Sequence, residues 1–324
     1  KLKDYKRANW SFNGFINSDS PDPVMVNDSY LRIADGHFVN REYTNAIIYY
    51  DKVIATKGGD ADYARFQKAI SYGLTGNDTA KTDELTSFIN SRSRSSYADD
   101  AHYVLADTYL KNNDNEQALH YFDKLISNYD RSPLVSKALL KKGLIFYNTD
   151  QNQQAIATYK EVVNRYPNTA EAMQAVKNTR QIYVDIGNVD AYANWVKTVS
   201  FVNVSDAELD NDMYEAAENQ YLHNNQRKSI ENFRKYLLRF PEGLHALNDN
   251  FYLAQSLYSE NKLSETIPYY SYVIDREQNL FTEISLSRLS LVHLKDDNWN
   301  AATPLLERLE KEAESPENIT FAKT

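Results

Sequence analysis

Apolar positions in this chain recur every three or four residues, the period of a helix with one buried stripe, and not every second residue as in a half-buried strand. One nine-residue form repeats. It places a small residue first, an aromatic four positions on, and aliphatic residues seven and eight positions on. Ala118, Phe122, Leu125 and Ile126 follow it, as do Ala155, Tyr159, Val162 and Val163. So do Ala46, Tyr50, Val53 and Ile54, and Thr266, Tyr270, Val273 and Ile274. Ser229, Phe233, Tyr236 and Leu237 keep the spacing with a second aromatic. Weaker copies start at Lys81, Ala191 and Ala301. The eight starts, at 46, 81, 118, 155, 191, 229, 266 and 301, lie 35 to 38 residues apart.

A second helix is predicted before each copy. Twelve residues upstream stand Ala34, Ala69, Ala106, Gly143, Thr179, Ala217 and Ala254; only Leu289, in the last unit, is large. Two helices approach to about 8 Å only where a side chain is nearly absent. Each unit therefore reads as helix A, a short turn, then helix B. The turns are polar, at 111–116, 148–152 and 259–262, and rich in Asn and Asp, which suit both turns and helix starts. Pro133, Pro167 and Pro241 follow helices B, where proline cannot continue the helix.

These residues resemble the tetratricopeptide repeat. The fourth unit has that family's small residue, aromatic, alanine, aromatic and proline at Gly143, Phe146, Ala155, Tyr159 and Pro167. The seventh supplies Ala254, Thr266 and Tyr270. The sixth supplies Ala217, Phe233 and Pro241, with Gln220 and Ser229 departing from the pattern. The fifth is degenerate at Thr179, Ile182 and Trp195. The resemblance implies an all-α, right-handed α-solenoid of about eight helix pairs, placed here at residues 27–314. Residues 1–26 read as a lone helix B and linker, and 315–324 as the start of a further helix A. The expectation is a window cut from a longer array. The long units, with Tyr/Phe-Pro loops and the Ser-rich stretch 90–96, are similar to repeats of the outer-membrane-assembly lipoprotein BamD and of the periplasmic Tol–Pal accessory protein. That similarity implies a Gram-negative envelope setting, periplasmic or outer-membrane-associated, in assembly or secretion; the cytoplasm is the alternative.

Composition narrows the chemistry. A chain of 324 residues exceeds what one core usually serves, which fits a repeat array. A net charge of −9 argues against a nucleic-acid binder, which needs surplus Lys and Arg. No apolar run reaches the ~18 residues of a membrane span, so no direct membrane insertion is expected. With no Cys, thiolate metal sites and cysteine nucleophiles are excluded. Glu242 with His245, and Asp99 with His102, have carboxylate–histidine spacing. A di-metal bundle needs two such motifs facing each other with further glutamates. No Walker loop, nucleophile elbow or dinucleotide fingerprint occurs. We expect no metal, no cofactor and no enzyme activity.

A binding surface remains. In the resembled family, helices A line the concave groove. One register position there holds Tyr147, Tyr183, Tyr221 and Tyr258 in four consecutive units. A second holds Tyr103, Tyr214 and Phe251, and a third Asp107, Arg180, Glu218 and Gln255. Tyrosine gives a large contact area at low entropic cost. The expected partner is a protein or peptide segment, apolar or mildly basic, because the groove is apolar and acidic. The Lys and Arg of the carboxylate-clamp version are absent. Two alternatives stay open. The tyrosines also fit packing between neighbouring helices A, through a one-residue rotation of the core stripe. An aromatic row also suits a glycan- or peptidoglycan-associated binding protein.

Overall fold

The computed structural model describes residues 4–324. All regular structure among them is helical. The chain forms two compact units, divided between Tyr166 and Pro167.

The first unit holds α1 (Tyr5–Ile16), α2 (Pro23–Val39), α3 (Tyr43–Ala55), α4 (Ala61–Leu74), α5 (Asp78–Ser91), α6 (Ala98–Lys111), α7 (Asn115–Asn128), α8 (Val135–Asn148) and α9 (Asn152–Arg165). Each helix packs on the next in sequence. Helix α2 starts before residue 27, because Asp22 accepts from the Val24 amide and Pro23 occupies the first turn. The second unit holds α10 (Ala170–Asp185), α11 (Val189–Val196), α12 (Asp206–Leu222), α13 (Gln226–Arg239), α14 (Ala246–Ser259), α15 (Leu263–Ile274), α16 (Thr282–Lys295), α17 (Trp299–Glu312) and α18 (Pro316–Lys323). Here too neighbours in sequence pack together, joined by α10 on α12 and α12 on α14.

The repeated small residues lie where two helices meet. Ala34, Ala69, Ala106, Thr179, Ala217 and Ala254 are fully buried. Tyr50, Phe122, Tyr159, Phe233 and Tyr270, the aromatics of helices B, have at most 1% of their surface exposed. At Gly143 the approach is closest: a Cβ there would stand 2.5 Å from the Tyr159 ring. The stripe shifts by one residue in two helices. In α11 the buried side chains are Val189, Tyr192, Ala193 and Val196, not Ala191 and Trp195. In α17 Ala302, not Ala301, is buried.

Every A-to-B turn contains one residue with positive φ. They are Arg41 (62°), Gly76 (80°), Asn113 (61°), Asp150 (58°), Gly187 (72°), Asn224 (56°), Asn261 (58°) and Asp297 (54°). Glycine, Asn and Asp tolerate this left-handed conformation; arginine does not.

A polar network ties α12 to α13 and to the loop before α14. The Tyr236 hydroxyl donates to Asp210 Oδ1 at 2.7 Å, the Leu244 amide donates to Asp210 Oδ2 at 2.9 Å, and the His245 amide donates to the Tyr236 oxygen at 2.9 Å. A Cβ at Gly243 would meet both Asp210 Oδ2 and the Tyr236 oxygen at 2.5 Å, so only glycine fits that corner. Asp249 on α14 is fully buried, and neither carboxylate oxygen has a hydrogen-bond partner. Burial, reinforced by the Asp210 charge, pushes its carboxyl up to about 9.

Three outcomes are expected. Gly143→Ala should cost about 1–3 kcal/mol in chemical denaturation, since the buried Tyr159 ring has nowhere to go. Arg41→Asn should add about 0.5–1 kcal/mol by relieving the left-handed arginine. The Asp249 proton is bound more tightly in the folded chain than in the unfolded one. Its stabilising effect is therefore complete below the ordinary carboxylate range and is lost as pH rises toward 9. Asp249→Asn should flatten the decline of melting temperature from about pH 5 to about pH 9, with the variant the more stable at the alkaline end.

Candidate partner-binding cleft in the second unit

In the first unit, Tyr103, Asp107 and Tyr147 are half-buried on helices A. Tyr103 sits edge-on to Phe122, with centroids 5.9 Å apart. Asp107 pairs with Lys111 at 2.8 Å and Lys141 at 3.3 Å. Burial opposes its charge, but the two lysines outweigh burial and hold the carboxyl below its ordinary value.

In the second unit the aromatic positions separate into two sets. Tyr183, Tyr214 and Phe251 are buried, with 8%, 6% and 6% of their surface exposed. Phe251 stacks on Phe281 at 4.2 Å, and Tyr214 stacks on His245 at 4.3 Å. The Tyr214 hydroxyl also donates to Glu218 at 2.8 Å, which ties up that carboxylate. Buried in this way, these rings offer little surface to a partner. Tyr221, Gln255 and Tyr258 stay half-buried. Tyr221 lies 4.9 Å from Tyr252, and the Arg288 guanidinium caps Tyr258 at 4.2 Å.

Arg180 belongs to a different environment. Helix α11 has 8 residues where most helices B have 12 to 14, and an irregular segment follows it up to Ser205. The lost turns leave a cleft of about 710 Å³ between α10, α12 and residues 202–204. Met173 and Val176 of α10, Tyr192 of α11, and Val202 and Val204 of the segment give it apolar walls. Met173 is 50% exposed. Gln174, Asn203 and Asn211 add amide groups.

Arg180 stands in this cleft on a buried acidic support. Its Nε donates to Asp212 Oδ1 at 2.7 Å, its Nη2 donates to the same oxygen, and Nη2 also reaches Glu215 at 3.2 Å. The Asp212 side chain is 1% exposed, and its Oδ2 has no partner. Burial raises the Asp212 carboxyl, with Arg180 pulling the other way. Burial, with the Asp212 charge nearby, pushes the Tyr192 hydroxyl up to about 12. The far wall is fixed by a capping box. The Glu208 amide donates to Ser205 Oγ at 3.2 Å, and the Ser205 amide donates to Glu208 Oε2 at 2.8 Å. Two cations, Lys177 and Arg180, face two carboxylates, Glu208 and Asp212, so the lining is balanced in charge and mostly apolar.

The repeat register puts Arg180 at a groove position, whereas Met173, Val202 and Val204, which share its cleft, fall at none of the positions singled out in the sequence. The available signal was the degenerate fifth unit and the long 38-residue step from 191 to 229. Among the described residues, no three His, Asp or Glu side chains gather to hold a metal ion, and no helix is long and apolar enough to cross a membrane.

Residues 103–170 match the family model for the tetratricopeptide repeat. No curated protein matches the chain. Among solved structures, one described as Naa15/Naa10 bound to HypK-THB is 12% identical and has a TM-score of 0.58. The match covers 91% of this chain and 43% of that one, so this chain spans less than half its length. The MamA protein is 17% identical, with 60% of this chain and 91% of that chain covered and a TM-score of 0.43. A tetratricopeptide repeat protein from Parabacteroides merdae is 11% identical, with 82% and 98% covered and a TM-score of 0.40. At such identities the likeness concerns the fold. The family match makes residues 103–170 tetratricopeptide-type, and each of the two units is an all-helical succession of packed helix pairs.

Proposed function

We propose that the chain is a non-enzymatic scaffold that holds an apolar or mildly basic segment of a partner protein against the second unit, at the cleft beside Arg180. Tetratricopeptide repeats generally serve protein–protein interaction, and residues 103–170 match that family. The observation that supports the cleft is its construction. It joins an exposed Met173 and apolar walls to Arg180, which is held rigid by a buried carboxylate. An apolar side chain of the partner enters between Met173, Val202 and Val204. Burying one such side chain is worth about 1.5–3 kcal/mol. Asn203 and Asn211 bond the partner backbone. A basic residue next to the apolar one meets Glu215, which keeps 42% of its side-chain surface exposed.

On the same reading, Tyr221, Gln255 and Tyr258 extend the surface in the second unit. Tyr103, Asp107 and Tyr147 give the first unit a surface of its own. The setting we assign is the Gram-negative envelope, in assembly or secretion, on the likeness of the long repeats and their Tyr/Phe-Pro loops to envelope proteins of this repeat class.

The test uses a peptide array read by fluorescence anisotropy. Apolar and mildly basic peptides should bind more tightly than acidic ones. Met173→Asp should weaken the best binder about tenfold or more, the loss of one buried apolar contact. Helical content should be unchanged, because Met173 is half exposed. Equal binding of acidic peptides, or an unaffected Met173→Asp variant, would overturn the reading. Displacement of the bound peptide by soluble glycans would assign the surface to a sugar.

A further inference from the structure

The chain as a whole is acidic, but helix α13 is strongly basic. Helix α13 carries five cations, Arg227, Lys228, Arg234, Lys235 and Arg239, against one carboxylate, Glu231. It is a helix B, and its outer face is separate from the cleft beside Arg180. Along this face runs a groove of about 570 Å³ whose walls are Arg227, Arg234, Lys235 and Lys262. Ile230, 6% exposed, forms part of its floor, and Leu238, 86% exposed, stands at one end. Residues 227, 230, 234 and 238 are spaced at three and four, so they form one continuous stripe of alternating charge and apolar surface.

The ion pairs on this face are weakly committed. Arg234 pairs with Glu265, and Lys235 pairs with Glu231 at 2.7 Å, all four side chains being 44% to 58% exposed. Exposed pairs of this kind contribute little and exchange readily. Arg239 pairs loosely with Asp190 at 3.7 Å. Arg227, Lys228 and Lys262 make no ion pair within the described residues. The face therefore presents an excess of positive charge next to an exposed leucine, on a chain whose net charge is −9.

We propose that the outer face of α13 docks an acidic amphipathic segment of a partner protein, its carboxylates meeting Arg227, Lys228 and Lys262 and its apolar face covering Ile230 and Leu238. Charge complementarity selects this occupant. A negative net charge on the rest of the chain, together with Glu231 and Glu260 in the groove, disfavours a flat anionic membrane. A groove rather than a plane suits a helix laid lengthwise.

The probe is a fluorescein-labelled synthetic amphipathic peptide with glutamates on one face and leucines on the next; the same peptide with lysines for glutamates is the control. The glutamate peptide should bind at least tenfold more tightly than the lysine peptide. Its affinity should fall several-fold between about 50 and about 200 mM salt, as screening shortens the reach of surface charge. The triple reversal Arg227→Glu, Lys228→Glu, Lys262→Glu should abolish the preference, and Leu238→Ser should weaken binding several-fold. All four residues are exposed, so both variants should keep the parent's far-ultraviolet circular dichroism. Met173→Asp should leave this binding unchanged, so failure here and failure of the cleft are told apart. Equal binding of the two peptides, or a triple variant that binds like the parent, would overturn the proposal. So would binding only to phosphatidylserine vesicles, or a parent dimer that the triple variant loses, since those results put a membrane or a second copy on this face.

Discussion

The fold depends on one recurring close approach. In five of the pairs, a residue with almost no side chain on helix A leaves room for a buried ring of helix B. At Gly143 and Tyr159 the approach leaves no space for even a methyl group. Elsewhere alanine takes that place opposite Tyr50, Phe122, Phe233 and Tyr270, all fully buried. The left-handed residue at the A-to-B turn follows from the same constraint. Two helices this close need a tight reversal, and the reversal needs one residue on the positive side of φ. Variation in repeat length is thus pushed out of the pair and into the B-to-A loops.

Much of this was legible in the sequence, and the reason is local. A small residue and an aromatic twelve and sixteen positions later state the pairing outright, so α3, α7, α9, α13 and α15 fall where the stripe puts them. Legibility fails where the stripe is poor. In α17 two adjacent alanines compete for the contact, and in α11 the buried stripe runs through Tyr192 and Val196 where the repeat spacing puts Ala191 and Trp195. The same ambiguity affects the tyrosines of helices A. Tyr183 and Tyr258 occupy equivalent repeat positions, but one is buried and the other lies half exposed beneath Arg288. The cleft beside Arg180 was hidden for another reason: it arises from helical turns that α11 does not make.

The second unit also differs from the first in what it buries. Asp210, Asp212 and Asp249 all lie within it, and their surroundings treat them differently. Asp210 is satisfied by a hydroxyl and an amide. Asp212 is answered by Arg180 on one oxygen alone, and Asp249 has no partner at all. Buried carboxyls rarely add stability over apolar residues of the same shape. Asp212 ties α12 to α10 and Asp210 ties α12 to α13 and to the loop before α14, and a slipped register would strand either group. In the first unit the corresponding buried titratable group is His102, which burial pushes down to about 4 and so keeps neutral.

Packing that links each helix mainly to its neighbour in sequence has a kinetic consequence. The contacts that define the fold close short stretches of chain, so little loop entropy is spent before a contact forms. A chain of this kind has low contact order and can nucleate at any well-formed pair. During synthesis, one pair can be complete while the next is still being added. The α11 region, short of helical turns and dependent on α10 and α12 for its cover, then becomes the step at which propagation pauses.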